Sequence, residues 1–586
     1  MNNYKEMPSF EKRWLKNMPS DEKIIGIKPT GNLYNYLYEC NKNNMNNIAI
    51  SVPSLRVLNS NNALDSISYE ELFENIDKCV VIFKEIGIKK GDIVPLVILN
   101  IPEAVYCLYA LNKIGAVSCF IDPRMNEFCL KRDIDLVDSK VLLSITYACS
   151  KIKNITFKNN LIKILMLSTM ASSKNTLLKK FIEFQDKING NSISKEYTDF
   201  SKLIENTEKS IQLNDGIGET SASIVFTGGT TGTHKGVVLS NKALNTTVFE
   251  HHYLIDDISK GERFLDILPP FIAYGLTSMH LSLCFGLETI LDPVPIPKLF
   301  AKKIEKYRPS VAFGGPIHWE SFAEMSKAKD LSFLRYPVSG GEKLPESTAK
   351  KINEVLKRKN STEILDGYGA TETCGVFSIK MPKNTANTVG YPLRYNNVCI
   401  VNPDTMEEKN YNELGEVLIS GPSIMEGYYK NKEENDKVFV TDKYNRTWLK
   451  TGDTGMINDK GELIITGRIK RIFVCGVTKV YPPELEEIIM EIDGIRKCAV
   501  TGVNDEKLRT VPKVHLIKEQ DCLYSNQEIE SIITEQIKKR VGQEAIPKYY
   551  SFDNDFLYTP SGKIDFMAMT KKDNQKIYTL KKTKSN

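Results

Sequence analysis

The chain has 586 residues, which exceeds the size of one ordinary hydrophobic core and predicts at least two domains. Its hydrophobic fraction of 41% is typical of a globular protein and argues against a disordered or membrane-embedded chain. Lys and Arg total 78 against 73 Asp and Glu, and the resulting net charge of +5, spread along the chain, argues against nucleic-acid binding.

The N-terminal segment, MNNYKEMPSFEKRW, lacks the apolar core of a signal peptide, and no run approaches 18 apolar residues. We therefore expect no integral membrane segment and a cytoplasmic location. Twelve cysteines are scattered without a Cys-x-x-Cys pair, which favours reduced thiols over a disulfide frame or a zinc site.

Apolar runs typical of strands alternate with helical patterns through most of the chain. Residues 92–99 are predicted to form a buried strand, residues 102–114 a helix, and residues 115–121 a further strand. The helix is expected to turn mainly Ala104, Val105, Leu108, Ala110 and Leu111 inward. This alternation predicts an α/β fold with largely buried sheets.

Residues 223–240, SIVFTGGTTGTHKGVVLS, predict a strand, a loop of glycine and threonine, and a second strand. Glycines let backbone N–H groups approach a ligand closely, hydroxyls add donors, and a lysine adds a charge suited to phosphate oxygens. The loop is not a Walker A motif, because its lysine precedes glycine and not serine or threonine. The candidate phosphate-binding residues are Thr227, Gly228, Gly229, Thr230, Thr231, Gly232 and Lys235.

Four later segments complete a pattern: DGYGATET at 366–373, KTGDTG at 450–455, GRIKRIFVCGVTKVYPPELEE at 467–487, and TPSGK at 559–563. In this order and spacing, the five motifs resemble those of the adenylate-forming superfamily of acyl-CoA synthetases, carrier-protein adenylation domains and luciferases. The resemblance covers nearly the whole chain. It implies a large N-terminal domain of layered sheets and helices at 1–469, and a small mobile α+β domain at 470–586.

The resemblance also implies the reaction: a carboxylate attacks the α-phosphate of ATP, which gives acyl-AMP and pyrophosphate, and the acyl group then passes to a thiol. Tyr368 offers a flat face for adenine, Thr371 a hydroxyl for the α-phosphate, and Glu372 an oxygen ligand for Mg²⁺. Asp453 is expected to accept hydrogen bonds from the ribose, with Arg468 beside it. The remaining residues implied on the nucleotide side are Gly341, Glu342, Gly367 and Gly369.

Lys563 resembles the catalytic lysine that bridges the attacking carboxylate and the α-phosphate. Lys470 aligns with the residue about which relatives rotate the small domain, and Gly476 with the glycine that leaves space for a pantetheine thiol. Two positions depart from the usual pattern. His234 stands where proline is common, and Asp565 stands where an arginine often follows the catalytic lysine.

The resemblance also implies eight acyl-pocket residues: Phe271, Ile272, Tyr274, Gly275, Phe313, Gly314, Gly315 and Gly340. Many fatty-acid and aryl-acid relatives have histidine where Ile272 falls. Amino-acid-activating domains place an aspartate after the phenylalanine to hold the ammonium group, and its absence here argues against an amino-acid substrate. His318 and Trp319 are interpreted as helix-start packing residues.

Three functions stay open on the sequence. The first is a ligase that joins a fatty or other apolar acid to coenzyme A. The second is an acyl-AMP ligase that loads an acyl carrier protein. The third is a non-catalytic nucleotide-binding protein, which the joint presence of Lys235, Glu372, Asp453, Arg468 and Lys563 disfavours.

Overall fold

The computed structural model describes residues 6–18, 26–53, 64–157, 163–168, 184, 186–188, 191, 193, 196–208, 220–227, 234–471, 473–475, 478–505, 508–558 and 563–584. The helices among them are α1 (Pro8–Glu11), α2 (Leu33–Asn41), α3 (Tyr69–Glu85), α4 (Pro102–Ile114), α5 (Glu127–Leu136), α6 (Cys149–Lys153), α7 (Phe200–Asn206), α8 (Asn241–Glu250), α9 (Ala273–Cys284), α10 (Pro297–Tyr307), α11 (Pro316–Met325), α12 (Glu346–Arg358), α13 (Lys432–Val438), α14 (Pro482–Met490), α15 (Asn526–Arg540) and α16 (Phe566–Lys584).

The strands of the first half are β1 (Ile48–Pro53), β2 (Leu64–Ser68), β3 (Ile93–Val97), β4 (Val117–Ile121), β5 (Val141–Ile145), β6 (Lys163–Leu167), β7 (Thr198–Asp199), β8 (Ser221–Phe226), β9 (Gly236–Ser240), β10 (Arg263–Asp266), β11 (Glu288–Leu291), β12 (Val311–Gly314) and β13 (Tyr336–Gly340). Those of the second half are β14 (Leu365–Tyr368), β15 (Ser378–Lys380), β16 (Tyr391–Pro392), β17 (Asn397–Val401), β18 (Gly415–Ser420), β19 (Gly427–Tyr428), β20 (Phe439–Thr441), β21 (Thr447–Ile457), β22 (Leu463–Arg468), β23 (Phe473–Cys475), β24 (Thr478–Val480), β25 (Ile495–Asp505), β26 (Arg509–Lys518) and β27 (Tyr549–Phe552).

Two large sheets form the body of the molecule. One runs β16-β15-β14-β13-β12-β10-β11-β1-β2, and its strands from β14 to β1 pair in parallel. The other runs β19-β9-β8-β4-β3-β5-β6-β7, and its strands from β8 to β7 also pair in parallel. The α/β fold expected from the sequence is confirmed.

Helices α4 and α9 lie in the main core and are buried along their whole length. Proline at the start of α4 suits the first helical turn, and Gly115 after its end adopts the left-handed conformation that closes a helix, with φ of 82°. The bounds of α4 are those predicted. The predicted inward face was too narrow, since neighbouring elements cover the other side of the helix as well.

The last third of the chain forms two smaller sheets. β17, β18, β21, β20 and β22 make one. β24, β23, β26, β25 and β27 make the other, which packs with α14 and α15 around a core of its own. The 3-10 turn Ile469–Arg471 joins the two sheets. The division of the chain at 469/470 stays a prediction. Among the described residues, no helix has both the length and the apolarity needed to cross a membrane.

Candidate active site

The predicted site residues gather where neighbouring parallel strands end. β12, β13 and β14 are in register, so that Gly314 lies beside Ser339 and Gly340 beside Gly367. Thr227 directly follows β8 of the second large sheet. Crevices at the carboxyl ends of parallel strands are the usual ligand sites of α/β proteins. Because Gly314, Gly340 and Gly367 have no side chains, a ligand in this crevice could approach the backbone at the strand ends.

Lys235 is held at the crevice by two partners that the sequence did not reveal. Its Nζ lies 3.0 Å from Oε2 of Glu434 and 4.1 Å from the centre of the Tyr428 ring. The hydroxyl of Tyr428 donates to Oε1 of Glu372 over 2.8 Å. Tyr428 therefore contacts both Lys235 and Glu372, which are 137 positions apart in the sequence. A lysine suits phosphate oxygens and a carboxylate suits a metal cation, so the contact brings two complementary groups together.

His234 has a structural explanation at the position where proline is common. Its Nδ1 lies 3.0 Å from Oδ2 of Asp133, and its ring stacks on Phe226 at 5.1 Å between centroids. These contacts fix the backbone just before Lys235. The backbone N–H of Thr227 donates to the carbonyl of Lys235 over 3.0 Å and closes the base of the loop.

A chain of hydrogen bonds joins the predicted adenine and ribose residues. Tyr368 donates its hydroxyl to Oδ2 of Asp453 over 2.7 Å, and Arg468 lies 3.0 Å from Oδ1 of the same carboxylate. Asp453 and Arg468 are directly opposite on β21 and β22. Burial raises the pKa of Asp453, and the Arg468 guanidinium counters that rise. The Asp453 carboxylate is thereby held in place by Tyr368 and Arg468.

Thr371 and Glu372 lie in a 3-10 turn, Thr371–Thr373, just past β14. Apart from Tyr428, the Glu372 side chain has no hydrogen-bond partner in the part of the chain that the structure describes. One carboxylate together with substrate phosphates is a common way for proteins to bind Mg²⁺. Glu372 therefore suits that ion, although no cluster of three metal-ligating side chains occurs among the described residues.

Several buried polar atoms at the same strand ends have no hydrogen-bond partner among the described residues. They include Oγ1 of Thr227, Oγ of Ser339 and Oδ1 of Asp366. Burial raises the pKa of Asp366 to about 7. Such atoms are costly unless something satisfies them, and a polar ligand at this crevice would do so.

Lys563 reaches this cluster from the C-terminal part of the chain. Its side chain retains contact with solvent, yet it interacts electrostatically with Glu342, Glu372, Asp453 and Arg468. The surrounding protein lowers the pKa of Lys563, and the three carboxylates partly offset this effect. Two ion pairs, Lys343–Glu487 and Lys351–Glu519, also join the part of the molecule around β13 and α12 to the C-terminal part. The second pair is 3.6 Å long.

A small cavity lies next to these groups and is lined in part by predicted acyl-pocket residues, Tyr274, Phe313 and Gly340. The Tyr274 and Phe313 rings stack at 5.4 Å. A Cβ on Gly340 would lie 3.0 Å from the Tyr274 ring, so this glycine lets the ring approach the strand. Val338 and Val376 add aliphatic walls, and His251 adds a polar one.

The other acyl-pocket candidates border this region. Phe271 is buried beneath Arg124, whose guanidinium carbon is 5.3 Å from the ring centre, and Ile272 precedes α9. Gly275 allows the first turn of α9 to pass close to the carbonyl of Pro269. Gly314 ends β12 and Gly315 precedes α11, where its N–H donates to His318 over 3.2 Å. Trp319 is fully buried, in agreement with its interpretation as a packing residue.

The remaining predicted residues contribute a backbone position, carry an exposed side chain, or fall outside the described part of the chain. Gly341 has φ of 88°, and Glu342 beside it is exposed. Gly367 lies in β14, and Gly369 packs closely against the backbone of Gly375. The backbone of Lys470 lies in the 3-10 turn Ile469–Arg471. The predictions for Gly228, Gly229, Thr230, Thr231, Gly232 and Gly476 lie outside the described residues.

The family model for AMP-binding enzymes matches residues 41–429, and the model for their C-terminal domain matches residues 484–563. A long-chain-fatty-acid–CoA ligase of Bacillus subtilis is 26% identical over 520 residues, covering 85% of this chain and 88% of that protein. The 4-coumarate–CoA ligase CCL1 of Humulus lupulus is 27% identical over 530 residues, covering 85% and 87%.

The fold is similar to that of solved structures. ATP-bound MatB from Rhodopseudomonas palustris superposes with a TM-score of 0.78 at 18% identity, over 92% of this chain and 99% of that one. The anthranilate–CoA ligase AuaEII with anthranoyl-AMP gives 0.76 at 20% identity, over 92% and 96%. The chain belongs to the AMP-binding enzyme family of the adenylate-forming superfamily, and it is an AMP-forming acid–thiol ligase.

Proposed function

We propose that the protein activates a carboxylic acid with an apolar body, fatty or aryl, to acyl-AMP and transfers the acyl group to the thiol of coenzyme A. Residues 1–469 would act as the adenylate-forming domain and residues 470–586 as a mobile domain. In the first half-reaction, the acid oxygen attacks the α-phosphate of ATP and pyrophosphate leaves. In the second, the thiol sulfur attacks the acyl carbon and AMP leaves.

The observation that carries this proposal is the convergence of opposite charges beside an apolar cavity. Lys563 interacts with Glu342, Glu372, Asp453 and Arg468, and Lys235 is joined to Glu372 through Tyr428. Two anions must meet for a carboxylate to attack a phosphate, so the reaction depends on charge neutralisation and alignment. Lys563 would bridge the two anions, and Lys235 would neutralise the departing pyrophosphate.

Glu372 is the residue that would hold Mg²⁺, and the ion would neutralise charge on the phosphates. Asp453 would bind the ribose hydroxyls because Tyr368 and Arg468 already fix its carboxylate. Tyr368 is held through its hydroxyl, which leaves its ring faces as a candidate surface for adenine. Lys470 would be the pivot, and rotation about it would withdraw Lys563 after adenylation.

Coenzyme A is the proposed acceptor because both sequence relatives described above are named as CoA ligases. No observation on this chain favours the carrier-protein alternative. An apolar acid body is supported by Phe313, Val338 and Val376 in the cavity wall. Ile272 after Phe271 leaves no carboxylate there to pair with an amino acid's ammonium group.

The test is pyrophosphate release from ATP across fatty acids from C2 to C18, aryl acids and the twenty amino acids, with and without coenzyme A. Each buried methylene is worth about 0.8 kcal/mol, so kcat/KM should rise about fourfold per methylene until the cavity is full. Thioester should form only when coenzyme A is present. No release with any acid would refute the proposed activity, and an amino acid outrunning every other acid would refute the proposed substrate class.

A further inference from the structure

The chain directly after Lys563 is held in place by Asp565. The backbone N–H of Asp565 donates to the carbonyl of Leu557 over 2.7 Å. Its Oδ1 accepts a hydrogen bond from the N–H of Ala568 over 2.9 Å, which is the contact that a helix N-cap makes. The aspartate that stands where relatives often have an arginine therefore fixes the start of α16, two positions after Lys563.

Phe566, the first residue of α16, lies against Arg471. The guanidinium carbon of Arg471 is 3.6 Å from the centre of the Phe566 ring, within the range of a cation–π contact. The same guanidinium pairs with Glu486 of α14 over 2.5 Å and donates to the carbonyl of Val500 in β25 over 3.3 Å. One side chain therefore joins α14, β25 and the first turn of α16.

Arg471 is also the residue next to the proposed pivot. It ends the turn Ile469–Arg471, so it directly follows Lys470, and its side chain is only 19% exposed. We infer that Arg471 positions Lys563 for acyl-AMP formation, because it fixes the start of α16 relative to the turn about which the small domain would rotate. This inference rests on the proposed function, and it adds a positioning residue that acts through Lys563.

The chemistry of arginine suits this role. A planar guanidinium can stack on a ring while it donates hydrogen bonds in its own plane, and a lysine ammonium cannot do both. The rest of α16 has other attachments: Met569 is buried in a cluster with residues of β25 and β26, and Asp573 lies 3.0 Å from Nε2 of His515. Loss of the Arg471 guanidinium should therefore loosen the first turn of α16 without releasing the helix.

The test measures the two half-reactions separately in Arg471→Met, which removes the guanidinium and keeps an unbranched apolar side chain. The kcat for pyrophosphate release should fall about tenfold, because a small misplacement of a catalytic group is costly. The KM for ATP and the rate of thioester formation from supplied acyl-AMP should stay within about twofold of the wild type. Arg471→Lys, which keeps the charge alone, should recover part of the lost rate.

A double mutant distinguishes a positioning residue from one that only stabilises the fold. If Arg471 acts through Lys563, adding Arg471→Met to Lys563→Ala should slow acyl-AMP formation by no more than about twofold beyond Lys563→Ala alone. A residue that only stabilises the fold would slow both backgrounds by the same factor. Arg540→Met is the matched control: it removes the ion pair between Arg540 of α15 and Glu491, and both half-reactions should keep their wild-type rates.

Phe566→Leu removes the ring face that Arg471 contacts, should also slow acyl-AMP formation, and provides a second readout if Arg471→Met fails to fold. Wild-type rates in both variants would overturn the inference, as would equal slowing of both half-reactions or full additivity with Lys563→Ala. Each of these results leaves acid-dependent pyrophosphate release by the wild type intact and the proposed function standing. Absence of release with every acid would instead overturn the proposed function itself.

Discussion

The predicted nucleotide-binding residues and the C-terminal lysine reach the crevice from different parts of the fold. Asp453 is tied to Tyr368 and Arg468, and Lys235 is tied to Glu434 and Tyr428, all within 3.0 Å or across a ring face at 4.1 Å. Lys563 comes from the C-terminal part of the chain, where its side chain contacts solvent and interacts electrostatically with the same cluster.

Under the proposed function, this difference would separate the preorganised residues from the lysine that is withdrawn after adenylation. Residues that bind ATP gain from rigid partners, because no rearrangement is then needed when charge shifts. A lysine required in one half-reaction gains from a cleft that it can leave. The ion pairs Lys343–Glu487 and Lys351–Glu519 join partly exposed side chains, and pairs of this kind contribute at most about 1 kcal/mol each. Pairs this weak would let the C-terminal segment dock and separate again, as the proposed function requires.

The largest effect is expected from removing the withdrawable charge. Lys563→Ala should slow acyl-AMP formation about a hundredfold or more, because the variant would lose the cation proposed to bridge the carboxylate and the α-phosphate. Thioester formation from supplied acyl-AMP should continue at close to the wild-type rate. Both half-reactions can be followed separately, through pyrophosphate release and through consumption of coenzyme A.

Lys571 offers a matched control, because it is an exposed lysine in α16, eight residues after Lys563. Lys571→Ala should leave both rates unchanged. If Lys563→Ala slowed both half-reactions equally, the lysine would not be specific to adenylation, and the contrast between a fixed and a withdrawable half of the site would fail.

Much of the fold could be predicted from sequence, because local sequence patterns determine where many helices and strands begin and end. Pro102 and Gly115 bracket α4, and the helix begins and ends where they indicate. The burial of its polar end could not be predicted in the same way. Lys113 can be buried because its ammonium group forms an ion pair with the Asp77 carboxylate of α3 at 2.6 Å. That ion pair exists only once the helices have packed.

The candidate site shows the same division. Motifs brought Lys235, Glu372, Asp453, Arg468 and Lys563 to attention because each lies in a short recognisable segment. Tyr428, Glu434 and His251 lie in no such segment, and their proximity to the site arises from packing.

The stability of the main core, which contains α9, should also decrease in acid. Burial lowers the pKa of His280 in α9 to about 3, from an ordinary value of 6.5. The unfolded chain therefore binds a proton that the folded chain refuses, so the stability from this residue is complete above pH 6.5 and is lost as the pH falls from 6.5 toward 3. At pH 5 the loss is about 2 kcal/mol of unfolding free energy.

His280→Gln can keep both hydrogen bonds of the ring, to Tyr109 and Asn245, without titrating. Chemical denaturation at pH 7 and pH 5 should give a decrease in unfolding free energy that is about 2 kcal/mol smaller in His280→Gln than in the wild type. The same decrease in both proteins would show that His280 is not held neutral in the folded state.

A substitution at the proposed hinge should affect the proposed mobile domain without disturbing the predicted nucleotide-binding residues. Lys470→Pro restricts φ within the turn Ile469–Arg471 and should resist rotation. Transfer to coenzyme A should fall about tenfold while acyl-AMP formation persists, because only the second half-reaction needs the new orientation. Transfer at the wild-type rate would mean that Lys470 is not the pivot.

The smallest expected effect concerns the acyl side of the fixed half, where a glycine sets the position of Tyr274. A Cβ on Gly340 would lie 3.0 Å from the Tyr274 ring, so Gly340→Ala must displace that ring slightly, whereas a Cβ on Gly315 meets nothing nearer than 3.6 Å. Gly340→Ala should raise the KM for the acid about fivefold and leave the KM for ATP unchanged. Gly315→Ala, at a second predicted acyl-pocket position where the added Cβ has more room, should raise the KM for the acid less. A rise in the KM for ATP alone would assign Gly340 to the nucleotide side of the crevice, because β13 and β14 bring it into register with Gly367 there.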